Sequence, residues 1–124
     1  MREANMRVII LFLIMSLVIC AQAFAHPPSR VELFYDLPTK MLKMEIYHFT
    51  RNVKRHHIRT VVISKNGEKI DTLYYSKQSQ NNMHVVEKEI NAVVGDRVEI
   101  KAYCSEGGTI EKSIVVEKEA PKSE

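Results

Sequence analysis

The chain has 124 residues, 18 Lys and Arg against 15 Asp and Glu, and a net charge of +3. That length suits one domain with a modest core, and so small a charge excess argues against nucleic acid as a partner. With two cysteines and no tryptophan, neither a disulfide framework nor the Cys…Trp…Cys signature of an antibody domain is available.

Arg2 and Arg7 precede an almost wholly apolar run at residues 8–19, and Ala23-Phe24-Ala25 supplies a small-x-small pattern. Together they predict a signal peptide at residues 1–25, cleaved after Ala25, and an exported, periplasmic or extracellular protein with no membrane contact after cleavage. An uncleaved anchor, or a lipoprotein acylated at Cys20, is the alternative. Residues 26–118 then form the domain, and the polar tail 119–124 is expected to be disordered. Cys104 is left as the one thiol of the exported chain, accompanied by all five histidines.

From residue 31 onward, two-residue alternation replaces any helical period. Val31, Leu33 and Tyr35 alternate in a first strand. After a turn at residues 37–40, Leu42, Met44, Ile46 and His48 alternate in a second. A third strand spans about 58–65, and Asn66-Gly67 then marks a hairpin, since both residue types tolerate positive φ. Strands follow at about 68–75 and 83–89, joined by a polar loop at 76–82. Gly95-Asp96 turns into a sixth strand, where Val98, Ile100, Ala102 and Cys104 share a face, and Gly107-Gly108 turns into a seventh at about 109–117. The pattern predicts an all-β fold: a single immunoglobulin-like antiparallel β-sandwich of about seven strands.

If successive strands alternate in direction, the second, fourth and sixth end at the pole where the others begin. His48 and Cys104 close strands there. His26, His56, His57 and His84 precede or open strands at the same pole. Imidazole with thiolate suits iron, zinc or copper far better than calcium or magnesium. Arg51, Lys54, Arg55 and Arg59 flank His56 and His57, a basic rim that draws small anions. Read singly, His48 and Cys104 also fit a packed core, and His84 has no supporting motif. The candidate ligands rest on their joint placement.

The segments His48-Phe49-Thr50 and Arg55-His56-His57-Ile58-Arg59 resemble the His-Pro … His-Tyr-Ile stretch of superoxide reductases, that is, neelaredoxins and the iron domain of desulfoferrodoxins. Ala102-Tyr103-Cys104-Ser105-Glu106-Gly107-Gly108 is similar to that family's Tyr-Cys-Asn-x-His-Gly-Leu. Ala25-His26-Pro27-Pro28 is similar to its Glu-Lys-His-Val-Pro. The resemblance implies an immunoglobulin-like β-barrel holding one non-haem ferrous iron, with equatorial histidines and an axial thiolate, that reduces superoxide to peroxide. It also implies an electron-donor protein as partner. Carried over, the ligands are His26, His48, His56 and Cys104, with His57, at the family's tyrosine position, in reserve. Two departures stand out: Gly107 occupies the place of the family's last histidine, and Ala25 that of its lysine.

Two other readings stay open. Cleavage before His26 would expose an amine and imidazole that grip copper, making a periplasmic copper-binding protein. A sandwich without metal would serve as an interaction module. No Gly-x-Ser-x-Gly, HExxH or phosphate-loop motif supports hydrolysis.

Overall fold

In the computed structural model, which describes residues 2–19 and 26–118, one helix precedes seven strands. They are α1 (Arg2–Ile19), β1 (Arg30–Asp36), β2 (Met41–Tyr47), β3 (Ile58–Lys65), β4 (Glu68–Tyr74), β5 (Met83–Glu89), β6 (Arg97–Cys104) and β7 (Thr109–Val115). The expected cleavage site and Cys20 fall at residues 20–25, and the tail at 119–124, outside the described residues. The large apolar side chains of α1 between Met6 and Met15 are exposed. No helix among the described residues is long and apolar enough to cross a membrane.

The strands form two antiparallel sheets, ordered β1-β2-β5 and β4-β3-β6-β7. Alternation along each strand explains the layering, because successive side chains leave a strand on opposite faces. Leu42, Met44 and Ile46 of β2 meet Val61 and Ile63 of β3 and Val98, Ile100 and Ala102 of β6 in one core, each fully excluded from solvent. Burying each such Leu, Ile or Val contributes roughly 1.5–3 kcal/mol, so this shared face is what holds the sheets together. Asn66 and Gly67 both take positive φ, 52° and 83°, and turn β3 into β4 as the dipeptide predicts. The edge strand β4 carries Glu68, Lys69 and Asp71, charges that discourage further strand addition.

Every strand pairing is antiparallel, so one pole collects the ends of β2, β4 and β6 and the starts of the others. Arg30 pairs with Tyr47, Tyr47 with Met83, Thr60 with Tyr74, and Tyr103 with Thr109. The β3–β6 register slips between Ile58 and Thr60, leaving Arg59 as an extra residue and Ile58 opposite Cys104. Such a bulge bends the strand and redirects side chains at its end. β2 ends at Tyr47, so His48 stands one residue past the strand while keeping the inward phase of Leu42, Met44 and Ile46.

Candidate metal centre

His48 and Cys104 enter the pole from opposite sheets. His48 is 2% exposed and Cys104 5%, since each continues the buried face of its strand. The His48 Nε2 lies 3.5 Å from Cys104 Sγ. His56 comes from the β2–β3 loop, where Asn52 does the ordering. Its side-chain oxygen accepts from the backbone N–H of Lys54 and Arg55 at 3.1 and 3.2 Å, and its carbonyl accepts from that of His56 at 3.0 Å. Local side-chain bonds of this kind hold short polar loops that have no ladder partner. The result places His56 Nε2 2.9 Å from Cys104 Sγ.

His26 arrives from the segment before β1 and is exposed. Ser29 N–H donates to Tyr47 O at 2.9 Å, anchoring that segment beside β2. Pro27 lies on Gly108 so closely that a Cβ there would meet Pro27 Cα at 2.8 Å. Gly108 also has φ of 91°, which residues other than glycine rarely adopt. Glycine is therefore what lets the His26-Pro27 segment settle against the β6–β7 turn.

These placements bring His26, His48 and His56 close enough to hold a metal ion: one ligating atom from each lies within 4.8 Å of the others. The ring centroids are 4.7 Å apart for His48 and His56, 5.6 Å for His26 and His56, and 6.3 Å for His26 and His48. Metal–nitrogen and metal–sulfur bonds of ~2.1 and ~2.3 Å put cis N and S atoms ~3.1–3.6 Å apart, depending on angle. The two observed N–S separations, 2.9 and 3.5 Å, are close to that range.

The charge states suit ligation in part. Burial holds His48 below the ordinary imidazole value, and the neighbouring His56 and His26 push the same way, against a hydrogen bond to Gln78. A neutral imidazole is the ligand form. Burial pushes the Cys104 thiol up, so an arriving metal must displace its proton.

His57 and His84 lie at the same pole without joining the three converging imidazoles. His57 is buried, and its Nε2 donates to Tyr75 O at 3.1 Å. His84 Nδ1 accepts from Ser79 N–H at 3.0 Å, and its ring stands edge-on to Tyr75 at 4.4 Å. Burial, with His57 nearby, pulls His84 down to about 4.

The segment 75–80 touches three of the five histidines, through Tyr75 O, Gln78 Oε1 and Ser79 N. Nothing in the sequence singled it out beyond its polarity. Gln78 is 1% exposed in a stretch that reads as a solvated loop.

A pocket of about 420 Å³ opens beside the histidines, lined by His26, His56, Phe49, Arg51, Arg55 and Glu106, among others. Arg51, Lys54, Arg55 and Arg59 are exposed, and none is in an ion pair among the described residues. One rim of the centre is thus cationic, with Glu106 the acidic group in its wall. The chain matches no protein-family model and no curated protein sequence.

Proposed function

We propose that this is an exported protein that holds one non-haem iron ion on His26, His48, His56 and Cys104, and that its substrate is superoxide. The observation that carries the reading is the approach of the buried Cys104 thiol to two of three converging imidazoles, those of buried His48 and half-buried His56. That donor set is wrong for calcium or magnesium and right for a borderline transition metal. Three histidines and one thiolate make four donors. If cleavage follows Ala25, the free amine of His26 adds a fifth, which compensates for Gly107.

The strand order supports an immunoglobulin-like reading of the sandwich. It differs from the constant-type arrangement in that the fourth strand pairs with the third rather than joining the first sheet. The pocket faces His26 and His56, so an anion would approach from the Arg51 and Arg55 side, where unpaired guanidinium groups raise its local concentration. Ferrous iron at this centre would supply one electron which, with two protons, turns superoxide into hydrogen peroxide, and an electron-donor protein would restore it. The protein's own part is to fix the donors, keep the thiol out of bulk water and draw the anion in.

The test is superoxide consumption by the iron-loaded, reduced protein. Reduction yields one peroxide per superoxide and no dioxygen, whereas dismutation yields half as much peroxide and releases dioxygen. Peroxide at one per superoxide is expected. Iron-loaded protein that leaves superoxide decay unaccelerated would refute the activity. Copper is the second reading, favoured by the place of His26 among the converging histidines. A free thiol beside Cu(II) tends to be oxidised, which counts against it.

A further inference from the structure

The side chain of Gln78 is buried at the centre of a closed hydrogen-bond set. Its Nε2 donates to His48 O at 2.7 Å and to Gln80 O at 2.8 Å. Its Oε1 accepts from Ile58 N–H at 3.3 Å and lies 2.8 Å from His48 Nδ1. The backbone N–H of Gln78 donates to Val53 O at 2.9 Å, so the residue is also tied to the loop that carries His56.

This set permits one orientation of the amide. Turned over, the NH2 group would face the Ile58 N–H, donor against donor, and the oxygen would face two carbonyls. With Oε1 toward His48, the contact to Nδ1 works only if Nδ1 carries the hydrogen, because an amide oxygen has lone pairs alone. The neutral imidazole has one hydrogen. Nε2 is then bare, and Nε2 is the atom near Cys104 Sγ.

We infer that Gln78 is a positioning residue: through His48 Nδ1 it sets the tautomer and ring plane that present Nε2 as a metal donor. The inference rests on the metal reading for its purpose, though not for its geometry. Outer partners of this kind fix ring orientation and raise ligand basicity, and losing one costs about 10–100-fold in metal affinity. Gln78 also accounts for why a glutamine should be buried in an otherwise polar loop. A carboxylate in its place would confront the carbonyls of His48 and Gln80, and an apolar residue would leave Nδ1–H, Ile58 N–H and both carbonyls without partners.

The test begins with the unaltered, metal-free chain, 15N-labelled, and reads the His48 ring nitrogens by two-bond proton–nitrogen correlation. A protonated Nδ1 and a bare Nε2 are expected. A protonated Nε2, or a rapidly exchanging mixture, would overturn the role of Gln78. Two variants separate positioning from bulk stability. Gln78→Met keeps the volume and removes the acceptor, so a tautomer mixture and about 10–100-fold weaker Fe(II) binding are expected. Gln78→Glu keeps an acceptor over Nδ1 but sets its second oxygen against the carbonyls of His48 and Gln80, so it should retain the Nδ1–H form in a less stable fold. If Gln78→Met stays folded and still shows only Nδ1–H, the role is refuted. Failure of the unaltered chain to bind iron, copper or zinc would refute the metal reading by itself. A protonated Nε2 in a chain that does bind metal would refute the role of Gln78 alone.

Discussion

His48 and Cys104 stand 56 positions apart in the chain, at the ends of strands in opposite sheets, and the imidazole Nε2 reaches within 3.5 Å of the thiol Sγ. The closing of the sandwich is therefore what makes the centre. β2 and β6 must both run toward this pole and keep their inward phase to the end. His48 stands one residue past the last pair of β2, and Cys104 forms the last pair of β6, opposite Ile58. A slip of one residue in either strand would turn its donor out of the core.

The first prediction concerns that pair. Cys104→Ser and His48→Ala should each weaken metal binding by more than the ~10–100-fold expected for an outer partner, because a direct donor is lost. Both variants should remain folded, since their strands keep Leu42, Met44, Ile46, Val98 and Ile100. Metal titration followed by urea unfolding of the metal-free forms separates the two effects.

A second prediction follows from the charge states. The Cys104 thiol is raised by burial and must lose its proton to ligate, whereas His48 is held low and already neutral. Metal affinity should therefore climb with pH through the neutral and mildly alkaline range, with about one proton released per metal bound. Competition titrations in buffers of different ionisation enthalpy measure that proton, and it should vanish in Cys104→Ser.

His84 gives a prediction about stability. Its folded value of about 4 lies below the unfolded value of 6.5, so between those limits the unfolded chain binds more protons than the folded one. Stability then falls as pH drops from about 6.5 toward 4, by an amount on the order of 3 kcal/mol. His84→Gln, which keeps an acceptor for the Ser79 N–H, should flatten that part of the curve in denaturant unfolding of metal-free protein.

Gly108→Ala tests how His26 is held. The new Cβ would strike backbone atoms of Pro27 and also sit at a φ of 91°. A cost of about 1–2 kcal/mol is expected from the backbone conformation. Metal affinity should move toward that of His26→Ala, while strand signals in circular dichroism stay unchanged. Unaltered affinity would mean that His26 is positioned by something other than the Pro27 contact.

Much of the fold was legible because alternation is a local signal. The run Leu42, Met44, Ile46, His48 gave both a strand and an inward phase for His48, and Asn66-Gly67 marked its turn directly. Taking successive strands to alternate in direction then placed the five histidines and Cys104 at one pole, and the antiparallel pairings agree. What stayed hidden depends on contacts between distant segments. The extra residue at Arg59 is a property of the β3–β6 register, which no pattern within β3 reveals. Gln78 looks like its solvated neighbours until His48, Ile58 and Gln80 close around it. Gly108 reads as half of a turn, and its second duty appears only once Pro27 lies against it. Likewise His57 adjoins His56 in sequence, yet its Nε2 goes to Tyr75 O rather than to the three converging imidazoles.

The iron centre is tested by the metal content of the anaerobically purified protein, with its visible spectrum before and after oxidation. About one iron per chain is expected, as one mononuclear centre requires, with a thiolate-to-ferric band that is lost in Cys104→Ser. A folded chain that takes up no iron, copper or zinc on reconstitution would contradict the iron centre.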